Sequence, residues 1–355
     1  MSRLPEDLII EILSRLPAKP LIRFKKVSKI WNSIISDPQF IKLHLQRAKQ
    51  TNNNVRLLLS TFSPQSLDFE AFSNGDLSNA ITKVSFPEIV KGPPTFYVKI
   101  IGSCDGLVCL LDDHGTMFLW NPTTEECKKL PNPKGAIYSM FLHGVGYNVG
   151  TDDYGVLIAS YFSGEIIVEL YTLKTNMWRE IENVGPIPEE SSGFSGIAWN
   201  GTLYWLKVKE VSNVNKKVYV IVSFDMADEK FKEVVSLPER FDPSSDKVSL
   251  GMPENGKLCV FCECKGRCFE GLVLNFNGGE AFWTKLFDFP QIKFPGFDNE
   301  VLCLTKNGEI VLESDGWKLY LYNPKEGIFR NFEMNNCGDA CELGLYVESL
   351  VSPNV

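Results

Sequence analysis

The fold is decided by residues 4–40, which read LPEDLIIEILSRLPAKPLIRFKKVSKIWNSIISDPQF. Apolar residues such as Leu8, Ile12 and Leu16 recur one helical turn apart, and this period predicts amphipathic helices. Pro5 suits the first turn of a helix, where a backbone N–H is not needed. Pro17 ends that helix because it disfavours helical geometry in the residue before it. The stretch therefore begins with a short helix that has one apolar face.

Further start signals divide the rest of the stretch. Pro20 can open a second helix, Ser28 can cap a third, and Asp37 followed by Pro38 can cap and open a fourth. Four short amphipathic helices within residues 1–48 make only a marginal core. We therefore expect some of their apolar faces to pack on another surface, either the remainder of the chain or a second protein.

The residues of this head, and their spacing, resemble an F-box of the plant type. The matching positions are Leu4-Pro5, Leu8, and residues 12–19, 23–31 and 35–40. The resemblance implies a module that docks the Skp adaptor of SCF-type cullin–RING ubiquitin ligases. By position it implies that ten residues bind the adaptor or hold the contacting helices: Leu4, Pro5, Leu8, Ile9, Ile12, Leu16, Pro17, Leu21, Val27 and Trp31. Lys26, where many relatives have Cys, and Pro20, where Ser is common, are minor departures.

Charge is divided unevenly along the chain. Residues 1–50 hold ten Lys and Arg against four Asp and Glu, so their net charge is +6, and the total of −8 leaves −14 for residues 51–355. A basic head can indicate nucleic-acid binding. Here the basic residues are spread through amphipathic helices without aromatic interleaving. An acidic protein is therefore the expected partner of the head, and no nucleic-acid partner is expected.

The sequence shows no sign of a membrane segment. It has no run of 18 apolar residues, which a spanning helix would need. Glu6, Asp7 and Glu11 near the N-terminus are unlike the basic start and uncharged stretch of a signal peptide. We therefore expect no membrane partner, a location in the cytoplasm and/or nucleus, and ten reduced cysteines.

Beyond the head the period of the sequence changes from 3.6 to 2. Residues 49–54 are polar and predict a linker, and residues 55–62 and 67–72 predict two strands of a hairpin. From about residue 98 a turn marked by Gly recurs, followed by an apolar strand, a second strand and an aromatic-led strand. The marker glycines are Gly106, Gly155, Gly201, Gly256 and Gly308, separated by 49, 46, 55 and 52 residues.

A repeat of about fifty residues with four short strands is typical of a kelch-type propeller blade. Five repeats are visible, and a sixth can be assembled from residues 55–72 and a C-terminal strand at residues 343–350, which would clasp the ring. The predicted fold is therefore a small all-α F-box module followed by an all-β kelch-like propeller of about six blades, with five or seven as alternatives. The predicted domains are 1–48, a linker at 49–54, and 55–355.

Residues 97–355 resemble the F-box-associated, kelch-like domain of the large plant F-box family. The supporting motifs lie at residues 102–109, 120–124, 144–147, 178–179 and 347–350. The resemblance implies a substrate receptor, but the fold permits many ligands and does not name the substrate. Because length can carry variation, the expected recognition loops are the long segments 183–194, 208–217, 237–248 and 289–297.

Two functions remain open. The favoured one is a non-enzymatic receptor of an SCF-type ligase, in which the F-box docks the Skp adaptor, and through it cullin and RING proteins, while the propeller binds an unidentified protein substrate. The ligase then supplies the chemistry, and the receptor supplies proximity. The alternative is a propeller that binds or hydrolyses a small molecule or glycan, with the head as a tether.

A cysteine motif and a few polar residues suggest other sites. Cys259, Cys262, Cys264 and Cys268 form C-x2-C-x-C-x3-C, a spacing that resembles a zinc site. In a hairpin, however, Cys259 would face away from Cys262 and Cys264, so no metal or other cofactor is expected. Instead, Cys264 and Cys268 could face each other as a redox-sensitive pair.

No catalytic residue is expected either. The three histidines, His44, His114 and His143, lack a paired nucleophile and orienting group, and Ser195 lies in no G-x-S-x-G motif. Carboxylate pairs such as Asp112-Asp113 lie beside turns, where solvated side chains are usual. Five tryptophans are expected to pack between blades: Trp178, Trp199, Trp205, Trp283 and Trp317.

Overall fold

The structure is a computed structural model in which a helical head precedes a ring of β-sheets. It describes residues 5–51, 55–60, 64–76, 80–88, 98–135, 137–182, 184–185, 187, 195–211, 216–254, 257–264, 268–290, 296, 299–315, 318–332 and 342–354. Leu4 and Trp317, for which the sequence predicts roles, lie outside these residues, as do most of the predicted loops 183–194 and 289–297 and two of the ten cysteines, Cys337 and Cys341.

The head contains four helices, α1 Glu6–Leu13, α2 Ala18–Phe24, α3 Lys29–Ser36 and α4 Pro38–Thr51. The Ser28 hydroxyl caps α3 by accepting a hydrogen bond from the Trp31 backbone N–H at 3.1 Å. Helix α2 begins two residues before Pro20, which is tolerated in the first turn. Helix α4 runs to Thr51, so residues 49–51 of the predicted linker are helical instead.

The strands form six four-stranded blades, as predicted. Blade 1 contains β24 Glu342–Val347, β1 Val55–Ser60, β2 Gln65–Leu67 and β3 Ile81–Lys83. Blade 2 contains β4 Val98–Cys104, β5 Leu107–Asp112, β6 Met117–Trp120 and β7 Cys127–Lys129. Blade 3 contains β8 Met140–Asn148, β9 Asp153–Phe162, β10 Glu165–Thr172 and β11 Met177–Glu180.

The other three blades follow the same order along the chain. Blade 4 contains β12 Ser195–Trp199, β13 Thr202–Val211, β14 Lys216–Asp225 and β15 Lys230–Ser236. Blade 5 contains β16 Lys247–Glu254, β17 Lys257–Cys264, β18 Cys268–Asn277 and β19 Glu280–Pro290. Blade 6 contains β20 Asn299–Leu304, β21 Ile310–Ser314, β22 Lys318–Asn323 and β23 Ile328–Phe332.

Blade 1 closes the ring by joining both ends of the domain. Strand β24 pairs antiparallel with β1, and Leu345 lies opposite Leu57, which confirms the predicted clasp. The predicted strand at residues 67–72 is wrong, because β2 ends at Leu67 and a short helix, α5 Phe69–Ser73, follows. Asp68 explains the difference, since its carboxylate caps α5 by accepting hydrogen bonds from the N–H groups of residues 70 and 71.

The cores of the propeller lie between blades. Trp205 and Phe224 of blade 4 pack with Leu157 and Leu170 of blade 3, and similar clusters occur between other neighbouring blades. Blades 3 and 4 also join through a short parallel pairing of β8 with β12. As predicted, Trp178, Trp199, Trp205 and Trp283 belong to these apolar clusters. Each blade thus covers the apolar faces of its neighbours.

Candidate functional site

The head leaves four large apolar side chains uncovered even though the propeller is present. Leu8 and Ile12, one turn apart on α1, are 49% and 53% exposed, and Val27 and Ile30 near the start of α3 are 65% and 55% exposed. We call these four residues the exposed apolar set. Exposed apolar side chains grouped in a small module are characteristic of protein-binding surfaces. Ile30 is missing from the predicted adaptor-binding residues, although its spacing of three from Val27 is a usable signal.

The other residues predicted for the adaptor surface differ in exposure. Pro5 and Pro17 are exposed and precede helices, whereas Ile9, Leu16 and Trp31 are half-buried and pack on the core of the head. Leu21 is fully buried, so its side chain can hold the helices but cannot reach a partner. The edge-to-face packing of Phe24 against Trp31, with ring centroids 5.3 Å apart, holds α2 against α3.

The C-terminal tail joins the head to the propeller. Leu350 is buried in the core of the head with Leu21 and Ile35, while Val351 is buried in a propeller cluster together with Leu45 of α4. The same short segment therefore contributes to two hydrophobic cores. This arrangement fixes the position of the head on the ring.

Three of the sequence motifs that resemble the F-box-associated domain hold this tail in place. The Asn121 amide donates hydrogen bonds to the carbonyl of Val351 at 2.7 Å and to that of Ser349 at 3.2 Å. The Ser349 hydroxyl donates to the Asp105 carbonyl at 2.6 Å. Asp105 begins the tight turn that Gly106 completes at a positive φ of 93°. The motifs at residues 102–109, 120–124 and 347–350 thus meet at one junction.

Ion pairs add to this contact between head and propeller. Lys42 and Lys49 of α4 lie 2.5 Å from Asp152 and 2.6 Å from Asp105, and Lys19 of α2 lies 3.0 Å from the buried Glu348. The hydrogen bond from Lys42 lowers the pKa of the Asp152 carboxyl. Burial alone would lower the pKa of Lys49, but the adjacent Asp105 more than offsets it and raises that pKa. The positive charge of the head therefore meets acidic groups of the propeller itself.

Strand direction separates the two faces of the ring. In blades 2, 3, 4 and 6 the first strand joins the second at the face where the head lies, at turns 105–106, 149–152, 200–201 and 305–309, and we call this the docking face. Because neighbouring strands within a blade are antiparallel, the second-to-third turns and the connections between blades lie at the opposite face. We call this the open face. All four predicted recognition loops connect strand ends of the open face.

The open face carries exposed aromatic residues around blade 3. Tyr138 is 82% exposed, and Tyr161 and Phe162 at the end of β9 are about 40% exposed. The Tyr138 hydroxyl donates to the Asp113 carbonyl at 3.3 Å, and the Phe141 and Tyr161 rings are 4.8 Å apart. The choice of loops by length missed these residues. Tyr161 and Phe162 can be recognised in the sequence as an aromatic pair at the end of a strand, directly before the turn at residues 163–164.

A central channel of about 890 Å³ lies among the inner strands of the ring. The inner strands β4, β12, β16, β20 and β24 line it, and Lys49 reaches its docking-face end. Its charged lining residues are Lys49, Asp105, Lys207, Asp246, Lys247, Glu263 and Glu300. Lys49 neutralises Asp105, and the Asp246 carboxylate accepts the Asp242 N–H at 2.9 Å. The channel thus offers polar groups of both signs within the volume range of small-molecule sites.

The residues considered for catalysis have structural partners. His143 and Ser195 lie opposite each other where β8 pairs with β12, and both bond to the Ile101 carbonyl, at 2.7 and 2.8 Å. Their bonds tie blades 2, 3 and 4 together. The His44 Nε2 bonds to the Leu16 carbonyl at 2.8 Å inside the head. His114 is exposed beside Asp113 in a turn.

The cysteine motif divides between two faces of blade 5, as its spacing predicts. Cys259 packs toward blade 6, whereas Cys262 and Cys264 pack toward blade 4. Cys264 lies directly opposite Cys268 across the hairpin, which confirms that these two residues face each other. Eight cysteines fall within the described residues, and all eight are free thiols.

Comparison with known proteins identifies both parts of the chain. Residues 1–43 match the F-box domain, and residues 56–353 match the F-box associated beta propeller domain. An F-box/kelch-repeat protein of Arabidopsis thaliana is 29% identical over 363 residues, covering 99% of this chain and 96% of the relative. The F-box protein CPR1 of Arabidopsis thaliana is 25% identical over 382 residues, covering 99% of this chain and 89% of the relative.

A solved structure and the helix lengths complete the comparison. The SapL1 lectin in complex with alpha methyl fucoside aligns with a TM-score of 0.45 and 10% identity, over 79% of this chain and 92% of the lectin. Among the residues that the structure describes, no helix has the length and apolar character needed to cross a bilayer. The two domain matches together span nearly all of the sequence. The chain belongs to the family of F-box proteins that carry an F-box associated β-propeller.

Proposed function

We propose that this protein is the substrate-recognition subunit of an SCF-type ubiquitin ligase. The exposed apolar set would bind a Skp-type adaptor, and the adaptor would bring cullin and RING proteins. The observation that carries the proposal is that Leu8, Ile12, Val27 and Ile30 stay exposed while the rest of the head is fixed on the propeller. Such a receptor needs no catalytic group, because it acts by holding a substrate near the charged conjugating enzyme.

The open face is the proposed substrate surface. It is directed away from the head, so a bound substrate would not compete with the adaptor for space. Tyr138, Tyr161 and Phe162 supply exposed aromatic side chains there, and aromatic residues are enriched among the residues that dominate binding energy. In a plant cell the reduced thiols and the adaptor partnership fit a location in the cytoplasm or nucleus.

Adaptor binding can be tested by co-purification of the intact chain with a plant Skp-type adaptor. Ile12→Glu/Val27→Glu places charges in the exposed apolar set and should abolish co-purification without lowering the melting temperature. The matched control is Met177→Glu/Phe282→Glu, which changes two exposed apolar residues of the propeller. Equal binding by the wild type and the Ile12→Glu/Val27→Glu protein would remove the basis of the proposal.

The substrate surface needs a separate experiment. Proteins that accumulate on the receptor when cullin activity is blocked can be quantified by mass spectrometry. Tyr161→Ala/Phe162→Ala on the open face should reduce capture of the substrate at least about tenfold, the effect of losing roughly 1.4 kcal/mol of binding energy. Phe276→Ala/Phe282→Ala, at the docking-face ends of β18 and β19, is the matched control. If Phe276→Ala/Phe282→Ala reduced substrate capture and Tyr161→Ala/Phe162→Ala did not, substrate recognition would be assigned to the docking face.

The channel supports a second candidate, binding of a small molecule or glycan. Its volume of about 890 Å³ and its mixed charges favour a polar ligand. Native mass spectrometry of the chain purified from plant tissue would reveal a bound compound as an added mass. Lys207→Ala/Lys247→Ala, which removes two cations from the channel, should abolish that added mass but leave adaptor binding intact.

A further inference from the structure

Blade 5 carries three metal-ligating side chains that the proposed receptor function does not use. Cys264 ends β17, and Cys268 and Glu270 lie on β18. The two sulfur atoms and a Glu270 carboxylate oxygen all lie within 4.8 Å of one another. We propose that Cys264, Cys268 and Glu270 bind one zinc ion at the open-face end of blade 5. No metal is expected from the spacing of the cysteines alone, because that spacing does not include Glu270.

The hairpin register brings these ligands together. Cys264 and Cys268 are directly opposed, which places their β carbons about 5 Å apart on one face of the sheet. Glu270 follows Cys268 by two residues and therefore shares that face. Cys259 faces blade 6 and is no ligand of this site. Cys268 and Glu270 share one strand face, and the pairing across the hairpin adds Cys264 to them.

The distances suit a tetrahedral ion. The Cys268 sulfur lies 3.4 Å from the Glu270 Oε1 atom. Sulfur and oxygen atoms that bind one zinc at about 2.3 and 2.0 Å lie roughly 3.3–3.8 Å apart. Two thiolates favour zinc over calcium or magnesium, which prefer sites made only of oxygen atoms. Water would occupy the fourth position.

The surroundings also suit a metal site. Cys264 and Glu270 are buried, and the partly exposed Cys268 gives the ion a path from solvent. The Arg240 Nη2 atom lies 2.8 Å from Glu270 Oε2, so it holds the carboxylate with the other oxygen directed toward the sulfur. Two thiolates, one carboxylate, Arg240 and Zn²⁺ sum to zero charge. Binding would release the two thiol protons to solvent.

Zinc content of the intact, reduced chain tests the proposal directly. The protein is supplied with zinc, passed through zinc-free buffer and analysed by elemental mass spectrometry. One zinc per chain is expected for the wild type, and Cys264→Ser and Cys268→Ser should each lose it. Cys259→Ala is the matched control, because it alters a buried cysteine of the same strand on the other face and should retain zinc. Circular dichroism checks that each variant is folded.

Two further measurements sharpen the result. Cobalt in place of zinc should give a thiolate-to-metal charge-transfer band that is absent from Cys264→Ser and Cys268→Ser but present in Cys259→Ala. Arg240→Gln should weaken zinc binding about 10–100-fold in competition with a chromophoric chelator. The proposal is overturned if the wild type retains no stoichiometric zinc, if the cysteine variants retain it equally, or if Cys264 and Cys268 form a disulfide that excludes the metal.

Discussion

Gly106 lies directly against Ser349, more than two hundred residues further along the chain. A β carbon at position 106 would overlap the Ser349 hydroxyl oxygen and would lie 2.7 Å from the Val347 carbonyl oxygen. The same glycine adopts a φ of 93°, a region that side chains disfavour. Two independent requirements therefore select glycine at the turn on which the C-terminal tail rests.

Gly106→Ala should destabilise the protein by about 3–5 kcal/mol, because it adds an overpacking cost to the cost of a left-handed backbone. Gly308→Ala is the matched control, since Gly308 also has a positive φ of 77° but nothing lies near its hypothetical β carbon. The control should lose only about 1–2 kcal/mol. Urea unfolding of both variants measures the difference. Equal losses of unfolding free energy in the two variants would show that crowding against Ser349 adds no cost to Gly106→Ala.

Asn121→Ala should destabilise the protein by about 1–3 kcal/mol, because the buried carbonyls of Ser349 and Val351 lose their donor. Asn323 provides the control, since it occupies the equivalent turn of blade 6 and its Oδ1 atom caps only the local N–H groups of residues 325 and 326. Asn323→Ala should cost less than about 1 kcal/mol. The melting temperatures of the two variants, compared with that of the wild type, show whether loss of the bonds to the tail carbonyls causes the destabilisation by Asn121→Ala.

Leu350→Ala should cost about 2–4 kcal/mol and loosen the head more than the ring, because Leu350 fills the core of the head. Hydrogen exchange of the α1 and α3 amides should accelerate. Leu274→Ala removes a similarly buried leucine between blades 4 and 5. It should leave the hydrogen-exchange rates of the α1 and α3 amides unchanged. Unaltered exchange in the head of Leu350→Ala would contradict the shared core.

The His44 imidazole should make the protein sensitive to acid. Burial lowers its pKa below the usual 6.5, although its hydrogen bond to the Leu16 carbonyl opposes this shift. The unfolded chain therefore takes up a proton at a higher pH than the folded chain does. Stability contributed by neutral His44 is complete above about pH 6.5 and is lost as the pH falls toward the lower folded-state pKa.

His44→Gln should reduce this acid sensitivity while keeping a donor for the Leu16 carbonyl. The measurement is the difference in urea midpoint between about pH 7.5 and about pH 5.5, for the wild type and the variant. His114→Gln is a suitable control because His114 is exposed. An identical pH dependence in the wild type and His44→Gln would show that His44 does not titrate differently on folding.

Local sequence signals were sufficient for most of the fold. Gly-marked turns and period-2 strands gave the blade repeat, and the helical spacing of Leu8, Ile12 and Leu16 gave the head. The failures were also local. Asp68 is a helix cap that converts the predicted strand at residues 67–72 into α5, and polar residues 49–51 extend α4. In both places a short segment was compatible with two structures, and at residues 67–72 the local cap by Asp68 favours the helix.

The clasp of the two chain ends was predicted, but individual side-chain contacts between distant residues were beyond sequence reasoning. The position of Leu350 in the core of the head, and the bonds from Asn121 to the tail, join segments more than two hundred residues apart. The exposed apolar set could be located approximately from helical spacing, but buried Leu21 and exposed Ile30 could not be distinguished because both are apolar. Cys264 and Cys268 were predicted to face each other, but Glu270, two residues after Cys268 on the same strand face, was not recognised as a third metal-ligating group.

The two roles of the tail have a consequence for protein synthesis. Strand β24 and Leu350 leave the ribosome after β1 to β23, yet the first pairs with β1 to close the ring and the second completes the core of the head. A nascent or prematurely terminated chain that lacks residues 342–351 would therefore have an open ring and an incomplete head. In the proposed ligase receptor, adaptor docking would then be restricted to chains whose propeller has already closed, so that a ligase would not be occupied by unfinished copies.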